Sequence, residues 1–199
     1  MDLVRAARKY GANRAVVELA NRLPPFSQTE ERRTVLDIAP GDTHNTRFLF
    51  SLGYHVIALL NEKADAETLR HLYESVQIVK EYEEILAQQQ KRPVNPRNLL
   101  EFELVDKLPE REFDGIVAIH ALIDLSPIQL RYLRDYINDN TKPRGYLALT
   151  TRTTQPHPFP KWTSVPDWET QYTGKEEKRK TESLNLAMVL EYLLRKPRK

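Results

Sequence analysis

Apolar positions along the chain switch repeatedly between two spacings, and the switching points to its elements. Residues 1–22 are predicted to be helical, with Ala15, Val16, Val17, Leu19, Ala20 and Leu23 supplying an apolar face and Pro24-Pro25 stopping the helix. A polar connector, Ser27 to Arg33, leads to the run Thr34-Val35-Leu36-Asp37-Ile38, of strand length and closed by the turn residues Pro40-Gly41-Asp42. Thr46 to Leu52 then carries Phe48, Leu49 and Leu52 at helical spacing, with Gly53 placed to end that helix at positive φ.

The alternation continues. Tyr54 to Leu60 reads as a second buried strand, and Ala64 to Leu86 as a long helical region with one possible break. Its buried stripe is expected to be Leu69, Leu72, Val76, Val79, Tyr82, Ile85 and Leu86. A loop from Gln88 to Asn98 precedes a period-two strand, Leu99 to Val105. Phe113 to Ile119 is a fourth strand, Pro127 to Asn138 a helix with Leu130, Leu133 and Ile137 on one side, and Tyr146 to Thr150 a fifth strand entered through the turn Lys142-Pro143-Arg144-Gly145. Strands alternating with helices at this spacing imply an α/β fold, a mostly parallel twisted sheet with helices on both faces, whose crossovers are right-handed. The expected organisation is one domain, in which an N-terminal helix and connector (1–30) precede the α/β unit (31–199).

Beyond this the texture changes. Thr151 to Gly174 is rich in proline, holds both tryptophans and lacks periodicity, so it reads as irregular. The charge run Lys175 to Lys180 reads as a solvated turn or helix end, Leu184 to Leu194 as a final strand or helix, and the basic tail Arg195 to Lys199 as a frayed terminus.

Composition narrows the function classes. Thirty basic against 28 acidic residues leave a net charge of +2, which gives no footprint for nucleic acid or an anionic membrane. The absence of cysteine removes disulfides, thiolate catalysis and cysteine-ligated zinc, and suits a cytoplasmic location. The amino terminus has scattered charges where a secretory signal needs an apolar segment, and no stretch approaches the ~20 apolar residues of a membrane span. The five histidines form no H-x-x-x-H or H-E-x-x-H pattern, so no metal site is expected. Walker and nucleophile-elbow motifs are absent as well.

The stretch VLDIAPGDTHNTRFLFSLGYHVIAL, Val35 to Leu59, resembles the cofactor region of class I S-adenosylmethionine-dependent methyltransferases, and within them the tellurite-resistance methyltransferase family. Leu36-Asp37-Ile38, Gly41, Asn45, Leu49, Gly53-Tyr54 and Val56 fall on that pattern without a gap. FDGIVAIHALIDL (Phe113 to Leu125) resembles the fourth strand and following loop, TKPRGYLAL (Thr141 to Leu149) the turn into the fifth strand, and LAMVLEYLLRKP (Leu186 to Pro197) the closing strand.

The resemblance implies a Rossmann-like class I fold, S-adenosylmethionine as cofactor, and methyl transfer to a small-molecule acceptor by direct displacement. It assigns the cofactor to Asp37, Ala39, Gly41, Thr43 and Asn45 after the first strand, to Leu60 and Asn61 (or Glu62) at the end of the second, to Asp106 (or Glu103) after the third, and to His120 after the fourth. His120 is also the candidate catalytic residue. Two departures stand out. The family's Gly-x-Gly-x-Gly turn is here Ala39-Pro40-Gly41-Asp42-Thr43, and the acidic position that holds the ribose is Leu60. These departures favour a second reading, a methyltransferase-like domain without catalysis that serves as a binding or regulatory partner of another protein. An RNA-modifying enzyme is a third, disfavoured by the balanced charge. Each residue also has a structural use: Asp37 as a brace of its turn, Gly41 for turn geometry, Asn45 as an N-cap, and Trp162, Trp168 and Tyr172 as core cover or substrate lid.

Overall fold

The computed structural model describes residues 2–26, 31–94, 101–122, 125–153, 168–176 and 188–197. Its elements run α1 (Leu3–Tyr10), α2 (Arg14–Arg22), β1 (Thr34–Asp37), α3 (His44–Ser51), β2 (His55–Leu59), α4 (Ala66–Gln89), β3 (Phe102–Val105), β4 (Phe113–Ala118), α5 (Pro127–Asn140), β5 (Thr141–Thr153), β6 (Glu169–Glu176) and β7 (Met188–Arg195). The strands form one seven-stranded sheet in the order β3-β2-β1-β4-β5-β7-β6. β1 to β5 are parallel, while β7 enters antiparallel between β5 and β6.

Alternation along the strands sorts side chains into two cores. Val35, Val56, Ala58, Val117 and Ala148 face a cluster built with α1 to α4, where Leu19, Phe48, Leu49 and Leu69 are fully buried. Leu36, Ile57, Ile116, Leu147 and Leu149 face the other, where α5 contributes Leu133 and Ile137. Among the described residues α5 is the helix of that face. The connection from β3 to β4, Asp106 to Glu112, contains no helix.

Local chemistry explains most boundaries and corrects several expectations. The N-terminal region is two helices, not one: Gly11 caps α1 in the left-handed conformation (φ 66°), and the Asn13 side chain accepts from Ala15 N–H to begin α2. Gly53 ends the α3 segment at φ 97°, as expected. α4 is unbroken to Gln89, because Asp65 caps its start through Thr68 and no glycine or proline interrupts it. Its buried side differs from the expected stripe: Leu69, Val76 and Ala87 face inward, whereas Val79, Tyr82 and Ile85 are exposed. α5 opens with a reciprocal Ser126–Gln129 capping box and Pro127 in its first turn.

The Lys142-Pro143-Arg144-Gly145 turn is a bulge inside β5. Pairing passes from Phe113↔Thr141 to Gly115↔Tyr146, so residues 142–145 stand opposite Asp114 alone. Gly145 is required there, since a Cβ would lie 2.7 Å from Thr141 Cγ2 and 2.9 Å from the Lys142 carbonyl oxygen. The buried Asp114 carboxylate meets Lys142 Nζ at 3.0 Å, Arg33 Nη1 at 2.8 Å and the Thr34 N–H at 3.0 Å.

The C-terminal third contains more strand than its texture suggested. Residues 151–153 extend β5, and Glu169–Glu176 form β6, including Lys175 of the charge run. Met188–Arg195 is a strand, so the final apolar run resolves in favour of β. The tail does not fray at Lys196, which is 8% exposed and donates through Nζ to the carbonyl oxygens of Asn138 and Thr141. Trp168 is buried in the second core, and its Nε1 lies 3.4 Å from Asn138 Oδ1. Residues 95–100, 123–124, 154–167, 177–187 and 198–199 lie outside the described residues, and with them Pro96, Leu99, Trp162, Glu177 to Lys180, Leu184 to Leu186 and the end of the tail. No helix among the described residues is long and apolar enough to cross a membrane.

Candidate active site

Strand order reverses between β1 and β4, so the loops leaving their carboxyl ends turn to opposite faces and open a crevice. The loop after β1 departs from the glycine pattern yet is held on every side. Ile38 N–H bonds the Val117 carbonyl of β4 at 2.9 Å, and Asn61 Nδ2 donates to the Ile38 carbonyl at 3.0 Å. Asp65 N–H reaches the Gly41 carbonyl at 2.8 Å, while Thr43 N–H closes a turn onto Pro40 at 2.7 Å. Gly41 has φ 49° and Thr43 φ 65°, so the loop keeps left-handed backbone at Thr43 where the family pattern places a glycine. A β-branched residue there is strained, and the surrounding bonds hold it in place.

Asp37 ends β1 with no solvent exposure. Thr46 of α3 donates to its Oδ2 at 2.7 Å, and Oδ1 has no hydrogen-bond partner among the described residues. Burial pushes its carboxyl up to about 6, against the opposing pull of the Thr46 hydroxyl and the Ala39 N–H. The buried Thr43 hydroxyl is likewise without a partner.

Two cavities of opposite character border this loop. The larger, about 750 Å³, is mainly apolar, with Ile38, Leu59, Leu108, Ile128 and Leu133 among its walls and Asn61 and Glu62 at its edge. The smaller, about 310 Å³, is polar and lies between the α1–α2 junction and the start of α3, with Arg14, Asp42, His44 and Asn45 among its walls. His120 borders both. It sits at φ 57° just beyond β4, its N–H donating to Thr150 Oγ1 at 2.7 Å.

The structure therefore brings Ala39, Asn61 and His120 to the apolar cavity and Asn45 and His120 to the polar one, with Gly41 and Thr43 in the loop they flank and Asp37 at the strand end that leads into it. Asn45 is not an N-cap: Thr43 holds that position without a side-chain bond, and Asn45 Oδ1 instead accepts the Asn13 N–H at 2.8 Å. Leu60 packs against the first core, away from the cavities, because strand alternation sends it to the side of Ala58. Asn61 is a strut, donating to Ile38 and accepting from Lys63 N–H at 3.0 Å. Asp106 is exposed and lines neither cavity, whereas Leu108 from the same connection lines the larger. Glu103 is engaged with His55 at 2.8 Å and Arg111 at 2.7 Å. Sequence reasoning missed Arg14, His44, Gln129 and Thr150; three of these, Arg14, Gln129 and Thr150, belong to elements far from the loop in sequence, and no local motif marks them. Among the described residues no group of three or more His, Asp or Glu is arranged to hold a metal.

Comparison with known proteins gives a consistent answer at the level of fold. No protein-family model matches the chain, and no curated protein matches it by sequence. Solved structures do match. TehB from Haemophilus influenzae superposes with a TM-score of 0.62 at 17% identity, over 96% of this chain and 65% of that one. Magnesium protoporphyrin IX methyltransferase from Synechocystis PCC 6803, solved with bound SAM, gives 0.62 at 13% identity, over 97% and 81%. The 1,6-didemethyltoxoflavin-N1-methyltransferase of Burkholderia thailandensis, solved with S-adenosylhomocysteine, gives 0.60 at 16%, over 96% and 78%.

The chain has a methyltransferase fold. The chain spans 65% of the length of TehB.

Proposed function

We propose that the chain binds S-adenosylmethionine and transfers its methyl group to a small-molecule acceptor. One observation carries the reading: an apolar and a polar cavity adjoin at His120, at the carboxyl ends of β1 and β4. The cofactor has the same division, an aromatic base at one end and a zwitterionic amino acid at the other. The residues fit it. Ile38, Leu108 and Leu133 offer the base an apolar bed, Glu62 stands where Leu60 cannot serve the ribose hydroxyls, and Arg14 and Asp42 supply opposite charges to the amino-acid end. The partnerless buried Asp37 Oδ1 lies at the end of β1, where the loop between them begins.

When bound, the sulfonium supplies an already activated methyl group, so the protein's part is positioning and exclusion of water. The braced loop fixes the backbone, and His120 stands at the junction. The second reading, a fold that has lost catalysis and serves a protein partner, is favoured by Leu60 and by the loss of two glycines. Calorimetric titration with S-adenosylmethionine and S-adenosylhomocysteine separates the two. Micromolar binding, abolished in Gly41→Arg, supports the enzyme; no heat at millimolar cofactor from folded protein overturns it.

A further inference from the structure

We propose that the outer part of the apolar cavity binds the methyl acceptor, and that the acceptor is accordingly an uncharged, largely apolar molecule. This rests on the cofactor reading above. The first observation is size. An adenosine fills about 300 Å³ at the packing density of a protein interior, whereas the cavity holds about 750 Å³. A cofactor whose base lies on Ile38, Leu108 and Leu133 therefore leaves more than half of the space unclaimed.

The second observation is exposure. Ile128 (82%) and Tyr132 (67%) are the most exposed large hydrophobic side chains among the described residues. They stand one turn apart on α5, and both line this cavity. Single apolar side chains on a surface are ordinary, but a pair at the mouth of an apolar cavity marks a surface suited to a bound ligand. The wall that ends at this pair begins where the two cavities adjoin. His120 and Ala121 are followed by Leu125, and then by Ile128 and Tyr132. A molecule laid along this wall has one end beside His120, where the cofactor reading puts the sulfonium, and the other at Tyr132.

The lining decides the chemistry. The carboxylate and the ammonium on the cavity, Glu62 and Lys63, follow β2, on the side assigned to the ribose. None of the described α5 residues on the cavity is charged, and Gln129 turns its Oε1 to the Ser126 N–H at 2.9 Å. A charged group placed along α5 would lose its hydration with no opposite charge to replace it. An apolar body gains by covering Leu125, Ile128 and Tyr132.

The test uses the full chain and N-phenyl-1-naphthylamine, an uncharged probe whose fluorescence rises on leaving water. The probe is expected to bind with S-adenosylhomocysteine saturating, each ligand leaving the Kd of the other within ~3-fold. Ile128→Glu and Tyr132→Glu, at exposed positions, are each expected to weaken the probe about 10-fold and to leave S-adenosylhomocysteine unaffected. Ile78→Glu, on the exposed apolar side of α4, is expected to change neither. Mutual displacement of the two ligands, or no probe bound to the S-adenosylhomocysteine complex, overturns the proposal. So does a probe indifferent to both α5 variants, or weakened equally by Ile78→Glu. With ¹³C-methyl S-adenosylmethionine, an NOE from the sulfonium methyl to the naphthyl protons is expected. A bound probe without that NOE lies away from the transfer and overturns the assignment to the acceptor. S-adenosylhomocysteine titration distinguishes the levels: absence of binding to folded protein sinks the cofactor reading itself, whereas binding with a negative result above sinks only the inference.

Discussion

The hydroxyl of Thr46 donates to Oδ2 of Asp37 across 2.7 Å, in a part of the core where neither residue is exposed to solvent. That bond and the Ala39 N–H together do not offset the cost of burying the carboxylate, and the acid is pushed up to about 6. An acid raised in the folded state binds its proton more tightly there than in the unfolded chain. Asp37 therefore favours the fold most below about pH 4, and this contribution is lost as pH rises through about 6. At ~1.4 kcal/mol per pH unit the loss is on the order of 3 kcal/mol. Denaturant unfolding of the wild type and Asp37→Asn between pH 4 and 7 measures it directly. The variant is expected to gain on the wild type as pH rises, and a constant difference would refute the linkage.

Thr43 holds left-handed backbone at φ 65° with a buried hydroxyl that has no partner. Glycine removes both penalties, about 1–2 kcal/mol of strain and ~1 kcal/mol or more of unsatisfied polarity. Against this stand roughly 0.5–1 kcal/mol of chain entropy and the loss of one methyl group. Thr43→Gly is expected to stabilise the protein by about 1 kcal/mol, seen as a higher urea midpoint with an unchanged slope. A lower midpoint would mean that the methyl packing outweighs the strain.

Position 60 invites an obvious repair that the structure advises against. Because Leu60 packs on the first core, Leu60→Asp puts a charge among apolar groups. The expected result is a loss of about 2–3 kcal/mol in stability and no gain in S-adenosylhomocysteine affinity. Glu62→Ala, at the edge of the apolar cavity, is expected to weaken that affinity by ~10-fold without loss of stability. Calorimetry of both variants decides between them; tighter binding in Leu60→Asp would reverse the assignment.

Lys196 carries its charge beneath the end of α5, donating to Asn138 and Thr141 carbonyls. Lys196→Met preserves the stem and removes the donors, which is expected to destabilise by about 2–4 kcal/mol. Thermal unfolding at matched protein concentration checks it, and a change under 1 kcal/mol would show that those carbonyls find other partners.

Much of this architecture was legible because buried parallel strands announce themselves as short apolar runs, as in Val35 to Ile38 and Ile116 to Ile119. β6 was not, since Glu169–Glu176 is a polar edge strand whose state is decided by pairing with β7 and not by its own residues. The α1–α2 break had a local signal, Gly11 followed by Asn13, which the apolar face of the region outweighed. On α4, apolar residues lie all around the helix, so periodicity could not choose between Val76 and Val79 as the inward side. In the site, the loop after β1 was readable as a motif. Thr150 and Arg14 were not, because they reach His120 and the polar cavity through the register of β5 and the packing of α2.

The connection from β3 to β4 has no helix, and the apolar cavity opens on the same side of the sheet as α5. A molecule lodged there touches Ile38, Leu59 and Leu133 much as a helix would, and so becomes a piece of the interior supplied from outside. Ligand and fold are then thermodynamically one system. Occupancy at a hundredfold excess over Kd is worth about 2.7 kcal/mol to the native state, so the protein's lifetime in the cell would track the abundance of what it binds.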